Sequence, residues 1–385
     1  MLSLLKQRAV QILVFGYVLG LVWWLWVYTT GQVNTNSNYI WTVFTSTIYP
    51  LFGGISGVLL SRKWGFLSSS LGRAIFFLSA GVIAYGVATL IWSYYNFVLF
   101  VDVPYPSLAD AFYLLSYPFW AIGLVNLGSG IGAGYKLRTT RGKIALILAP
   151  LIGIALTYFI FISIVQGGDL GFEGSSPIEI FLNIFYPLGD AILITAIGLI
   201  YGLSYKIFGG RFKSAINMLF IGFLAAYFAD AIFSYTTTQE TYYTGNWVDV
   251  LFMTNLFLIT VGVNALDIQG ISSRVRSELT MFAPRAGEAI NNLVSEIIQR
   301  QASIIGAVAW DEAMKVPGLS INIKENKLSV EGDPKVVLGQ LVGRYEGLFG
   351  NASLEICKDV ARKFISQVPQ EQIPDVLKRD NITTT

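Results

Sequence analysis

The stretch Ala74-Ile-Phe-Phe-Leu-Ser-Ala-Gly-Val-Ile-Ala-Tyr-Gly-Val-Ala-Thr-Leu-Ile-Trp-Ser-Tyr-Tyr-Asn-Phe-Val98 runs its whole length without one charged side chain. At about 1.5 Å per helical residue it can cross a hydrocarbon core of about 30 Å. Comparable apolar runs lie on either side of it, at 9–29, 39–60, 108–133, 144–166, 178–204, 214–236 and 247–268. Eight spans follow, and an even number puts both ends of the chain on one side. Composition agrees: 54% of residues are hydrophobic, 13% are charged, and mean hydropathy is +0.58. A soluble domain carries about 25% charged residues. The first run follows Lys6 and Arg8 as a signal peptide would. Its length of about 20 residues and the lack of a small-residue cleavage site make it a membrane helix instead.

Charge fixes the sides. The segments 30–38, 99–107, 167–177 and 237–246 contain no Lys or Arg. Every cation of the membrane region falls at the N terminus or in the other three connections, which carry Arg62, Lys63 and Arg73, then Lys136, Arg138, Arg141 and Lys143, then Lys206, Arg211 and Lys213. Cation-rich connections stay in the cytoplasm, so both termini are expected there, in a protein of the cell membrane. Trp23, Trp24, Trp26, Trp92, Tyr242 and Trp247 gather near the opposite ends, where amphipathic rings suit the interface.

Residues 1–269 hold 12 Lys and Arg and 10 Asp and Glu, whereas residues 270–385 hold 14 of each. Charge density thus changes near residue 270. The expected organisation is an eight-helix transmembrane domain at 1–269, a juxtamembrane linker at 270–285, a small cytoplasmic domain at 286–370 and a flexible tail at 371–385. The fold class is an all-α polytopic membrane bundle with a small α+β cytoplasmic domain.

The bundle carries an internal echo. Pro50, Pro118 and Pro187, each preceded by Tyr, recur at nearly equal intervals, and Phe257 stands one such interval further on. Eight residues before the last three of these positions come Asp110, Glu179 and Asp249. A helical hairpin repeated four times in one orientation accounts for the pattern. Each mid-helix Pro removes a backbone hydrogen bond and favours a kink.

Acids inside a membrane are costly, which makes each a candidate for function. Asp110 follows Ser107 by three residues, Glu179 follows Ser176 by three, and Asp249 follows Asn246 by three. That is capping-box spacing, so these three are read as helix caps rather than ligands. Asp190 and Asp230 remain. Counted from the outer helix ends, Asp190 lies about 20 Å deep and Asp230 about 10 Å deep. Asn183 and Asn255 are expected to join Asp230 in a polar layer. No Lys or Arg occurs within any span to neutralise either acid. A protonated Asp bonded to an amide or a freed carbonyl is the structural reading. An acidic, aromatic-lined site for a metal cation, an amine or a proton is the functional one.

Past the basic Arg274, Arg276 and Arg285, an amphipathic helix is expected over about 286–315, ended by Pro317-Gly318. Alternation at Leu319, Ile321 and Ile323 and at Leu328 and Val330 predicts a β-hairpin. Asp333-Pro334 opens a helix, and Gly350-Asn351 separates it from a last one at 352–367, giving an α-β-β-α-α unit. This unit holds no nucleotide loop, metal cluster or paired nucleophile. With no His and one Cys in the chain, Cys357, neither metal nor cofactor chemistry is expected, and no enzymatic activity. A net charge of +2 leaves no nucleic-acid footprint. The expected partners are the lipid bilayer and a cytoplasmic protein, or a second copy joined through the C-terminal domain.

The stretch Tyr105-Pro-Ser-Leu-Ala-Asp-Ala-Phe-Tyr-Leu-Leu-Ser-Tyr-Pro-Phe-Trp-Ala-Ile-Gly-Leu124 resembles the multi-pass membrane sensory modules that precede diguanylate cyclase or histidine kinase domains in prokaryotic signalling proteins. Phe185-Tyr-Pro-Leu-Gly-Asp190 and Trp247-Val-Asp249 echo the same module. The likeness covers about residues 100–270 and implies a sensory membrane fold. The output end departs from it: there is no His to accept a phosphoryl group and no Gly-Gly-acid signature. Two functions are expected from these readings. One is a sensor or receptor with Asp190, Asp230, Asn183 and Asn255 at its ligand site and signal transduction through a non-catalytic domain. The other is a secondary transporter coupled to protons or sodium, since internal repeats, Pro-broken helices and a midplane acid fit that class.

Overall fold

A computed structural model describes residues 7–101, 103–131, 133, 140–165, 167, 176–204, 212–267, 289–306, 308–322, 327–364 and 367–378. Among them are eight helices long and apolar enough to span a membrane. These are α1 (Arg8–Thr29), α2 (Asn36–Trp64), α3 (Ser70–Leu99), α4 (Leu108–Gly130), α5 (Thr140–Ile160), α6 (Pro177–Leu203), α7 (Lys213–Thr238) and α8 (Trp247–Asn264). Apart from α4 and α5, neighbours in sequence pack together, and α8 closes the bundle against α1, α2 and α3. Helix α5 stands outside, packed mainly on α6.

Small residues set the closest approaches, because membrane helices associate through packing rather than through exclusion of water. A Cβ on Gly53 of α2 would stand 2.5 Å from Thr260 Cγ2 of α8, and one on Gly123 of α4 would stand 2.7 Å from Leu78 Cγ of α3. The Gly16 and Gly20 face of α1 meets Tyr49, Met253 and Thr45 of this same chain. Trp41 Nε1 donates to Gly20 O at 2.8 Å where the backbones draw close.

The prolines are absorbed differently. Pro118 and Pro187 lie inside unbroken helices. Pro50 instead follows a π-helical stretch, Val43–Ile48. Such a stretch loosens carbonyls that need other donors, and the Thr89 hydroxyl on α3 donates to Ser46 O.

On the side of α3 and α4 away from their tyrosine-rich ends lie α9 (Ala289–Ile305), α10 (Val308–Ala313), the antiparallel strands β1 (Leu319–Asn322) and β2 (Lys327–Val330), α11 (Pro334–Phe349), α12 (Asn351–Phe364) and α13 (Asp375–Lys378). Two expectations change here. The single helix at 286–315 is two helices, because Gly306 takes φ +63° and its Cα faces the Trp64 carbonyl where a Cβ would collide. The order is therefore α-α-β-β-α-α-α. The tail expected to be flexible from residue 371 is packed as far as Lys378: Ile373 and Leu377 are buried and Lys335 pairs with Asp375 at 3.3 Å. The linker expected at 270–285 lies outside the described residues.

Trp64, at the end of α2, joins these elements to the bundle. It is fully buried, its Nε1 donates to Leu266 O at 3.0 Å, and its ring meets Phe212 and Phe349 edge-on at 5.6 and 6.1 Å between centroids. Beside it, Lys63 pairs with Asp267 at 2.7 Å, and Gln7 Nε2 donates to Asp267 O at 2.9 Å. Residues 265–267, where α8 ends, are thus held by the N terminus and by the α2–α3 connection at once.

Cys357 sits within α12, fully buried, and accepts from Gln301 Nε2 at 3.4 Å. Burial pushes its thiol up to about 12, with the Gln301 bond opposing in part. At pH 8 the thiolate fraction is then about one in ten thousand, and thiolate is the reactive form. Iodoacetamide is expected to leave the native protein unlabelled at pH 8 and to label it fully once denatured. Labelling of the folded protein at the rate of the denatured one would contradict that burial.

Candidate functional site

Helices α4, α6 and α7 converge on the two acids that capping did not explain. Asp190 lies midway along α6 and is buried; Asp230 lies on α7 and is partly exposed. Their carboxyl groups lie close enough to interact directly. From α4, Tyr117 donates its hydroxyl to Asp190 Oδ1 at 3.1 Å. Asp190 Oδ2 has no donor among the described groups unless Asp230 supplies one. The local sequence permits this approach: a Cβ at Gly189 would stand 2.5 Å from the Tyr117 ring, so only glycine lets the ring lie against α6.

Aromatic rings wall the pair. Tyr117 contacts Phe185 and Tyr186 at 6.0 and 6.2 Å between centroids and Trp120 at 6.4 Å. Trp120 packs on Phe223 at 5.5 Å and on Tyr85 at 6.2 Å, with Gly81 giving its indole room on α3. The described spans carry no cation near the pair, in keeping with the sequence.

Counting depth from helix ends separated the acids by about 10 Å, at about 1.5 Å per residue. The structure puts them at one level. The helix ends are not level: α6 extends well beyond Asp190 to begin at Pro177, whereas α7 stops at Thr238, sooner after Asp230. The described hydrogen bonds do not join Asn183 or Asn255 to the carboxyl pair. Asn183, two helical turns from Asp190, accepts from Tyr105 at 2.8 Å near the start of α6. Asn255 is buried on α8 and enters none of the hydrogen bonds described for the carboxyl pair.

The other three acids sit at helix starts. Asp110 accepts from the Ser107 amide at 2.7 Å, and Glu179 accepts from the Ser176 amide at 2.5 Å. Asp249 reaches one residue further back, to the Gly245 amide at 2.6 Å, while Asn246 caps the Val248 amide. Two of them also take a tyrosine hydroxyl through the second oxygen: Tyr186 donates to Asp110 at 2.7 Å, and Tyr242 to Asp249 at 3.0 Å. The Tyr-Pro tyrosines of α4 and α6 therefore cross, Tyr117 to the acid of α6 and Tyr186 to the acid of α4. Sequence reasoning used these tyrosines only as repeat markers. Their pairing with acids was the signal it passed over, together with Gly189.

Comparison with protein-family models found no match, and comparison with curated proteins and with solved structures found none either. Fold and site together define a class, the multi-pass helical membrane protein, with a carboxyl pair set between its helices.

Proposed function

We propose that this protein is a membrane receptor of the sensory kind, which binds a proton, a metal cation or a small amine at Asp190 and Asp230 and signals through residues 289–378 by protein contact. The observation that carries this reading is the contact between two carboxyl groups on different helices, α6 and α7. Such a bond needs a proton or a cation between the two groups, so its occupancy governs how the helices sit.

The reading also has a route to the output end. Helix α4 bears Tyr117 at mid-length and approaches α9 at its end, where a Cβ on Gly130 would lie 3.7 Å from Ile304 Cγ2. One rigid helix thus spans from the pair to the soluble elements. In this proposal the cation-rich connections and both termini are cytoplasmic, the four hairpins are repeats related by the crossed tyrosines, and residues 289–378 form a small α+β unit for protein contact or self-association. The resemblance to prokaryotic sensory modules supports the same function.

Hydrogen exchange in α9 tests it, with the chain reconstituted and the pH or cation changed on the cation-poor side. Wild type is expected to change protection in α9, and Asp190→Asn and Asp230→Asn to abolish the change. Unchanged protection in wild type overturns the proposal. The same carboxyl pair would suit a proton-coupled transporter, and gradient-driven uptake by proteoliposomes would establish that function instead.

A further inference from the structure

Between α4, α5 and α6 lies a groove of about 530 Å³, and nothing in the carboxyl site uses it. It occupies the half of the bundle towards the cation-rich ends. Leu146, Pro150 and Ile154 line it from α5 at four-residue spacing, one face of that helix. Ala191 and Ala196 of α6 are too small to fill the space between the helices. Its lining is otherwise apolar apart from two hydroxyls, and both are engaged: Ser129 donates to Val125 O at 3.1 Å and Thr195 to Ala149 O at 3.5 Å. A polar ligand would find no free hydroxyl donor along its walls.

The end of the groove is different. Lys143, exposed on α5, precedes Leu146 by three residues and so lies on the lining face, one turn nearer the membrane surface. Lys213, also exposed, begins α7 on the same side. No Asp or Glu occurs from residue 111 to 168 or from 191 to 229. An apolar slot at hydrocarbon depth, with cations at its mouth and no acids there on α4 to α7, matches one chemistry, a long acyl chain under an anionic headgroup. We propose that the groove binds one anionic phospholipid, an acyl chain lying along Leu146, Pro150 and Ile154 and the phosphate at Lys143. This site stands apart from the carboxyl pair and does not depend on the sensory reading.

Native mass spectrometry of the full chain, exchanged into equimolar dioleoyl phosphatidylglycerol and dioleoyl phosphatidylcholine, tests the site. Wild type is expected to retain one phosphatidylglycerol in about fivefold preference, the effect of one lysine near a charged headgroup. Lys143→Gln should bring the preference close to one while lipid is still retained. Ile154→Trp, at an exposed rim position that tolerates bulk, should lose the retained lipid of both kinds without lowering the unfolding temperature. Equal retention of the two lipids by wild type overturns the proposal, as does a preference that survives Lys143→Gln or retention that survives Ile154→Trp. A dimer whose contact is lost in Ile154→Trp, with no lipid retained by wild type, would assign the groove to a second copy and also overturn it.

Discussion

Trp64→Ala is expected to detach residues 289–378 from the bundle. The indole is fully buried between Phe212 and Phe349, and truncating a ring of that size costs about 3–5 kcal/mol. Removing Nε1 also leaves Leu266 O without its donor, a further about 1–3 kcal/mol for a buried polar group. Those losses fall on one joint, so they should appear locally before they appear globally. Limited proteolysis in detergent is expected to release a fragment beginning near residue 289 from Trp64→Ala under conditions that leave wild type whole. Trp64→Phe separates the two contributions, because it keeps an aromatic ring against Phe212 and Phe349 and loses only the hydrogen bond. It should release the fragment more slowly than Trp64→Ala. If Trp64→Ala resists protease as wild type does, the joint is held elsewhere, for example by Lys63 with Asp267 and Gln7 with the end of α8.

This joint was not legible in the sequence, and the reason is physical. Trp64 stands in the short segment Ser61-Arg-Lys-Trp-Gly65, where the cations drew the reading towards membrane sidedness. What buries the ring is Phe349, near the other end of the chain, and no local pattern encodes that contact. Gly306 had the same ambiguity. An amphipathic period runs through it, and only the approach of the Trp64 carbonyl requires a positive φ there.

The eight spans were legible because each is decided within its own residues, by length and absence of charge. The caps were legible for a similar reason, since a side chain three residues into a helix answers its own first amides. Depth was not. The level of Asp190 relative to Asp230 depends on how far α6 outruns α7, which packing sets and the helix lengths alone do not reveal. The described contacts therefore join two of the four candidate residues, Asp190 and Asp230, and add Tyr117 and the rings around it.

Asp190→Leu is expected to be markedly less stable than wild type, and Asp190→Leu combined with Asp230→Leu to be less damaging than the single change. The single substitution takes a partner from two groups, the Tyr117 hydroxyl and the Asp230 carboxyl; a buried group left so costs about 1–3 kcal/mol, and the partly exposed carboxyl less. The second substitution removes one of them, so the two effects do not add, as neighbours sharing one bond should not. Tyr117→Phe in the double variant removes the other and should recover further stability. Asp190→Asn, which still offers an oxygen to Tyr117 and a donor to Asp230, is expected to lie within about 1 kcal/mol of wild type. Thermal unfolding of the five proteins in one detergent measures the series. Recovery of the double variant to wild-type stability would mean that apolar packing holds these helices at least as well as the acids do, as with other buried polar pairs replaced by hydrophobes. The acids are then retained for what they bind. Strictly additive losses would instead mean that the two carboxyl groups do not interact, and the sensory reading would lose the observation on which it rests.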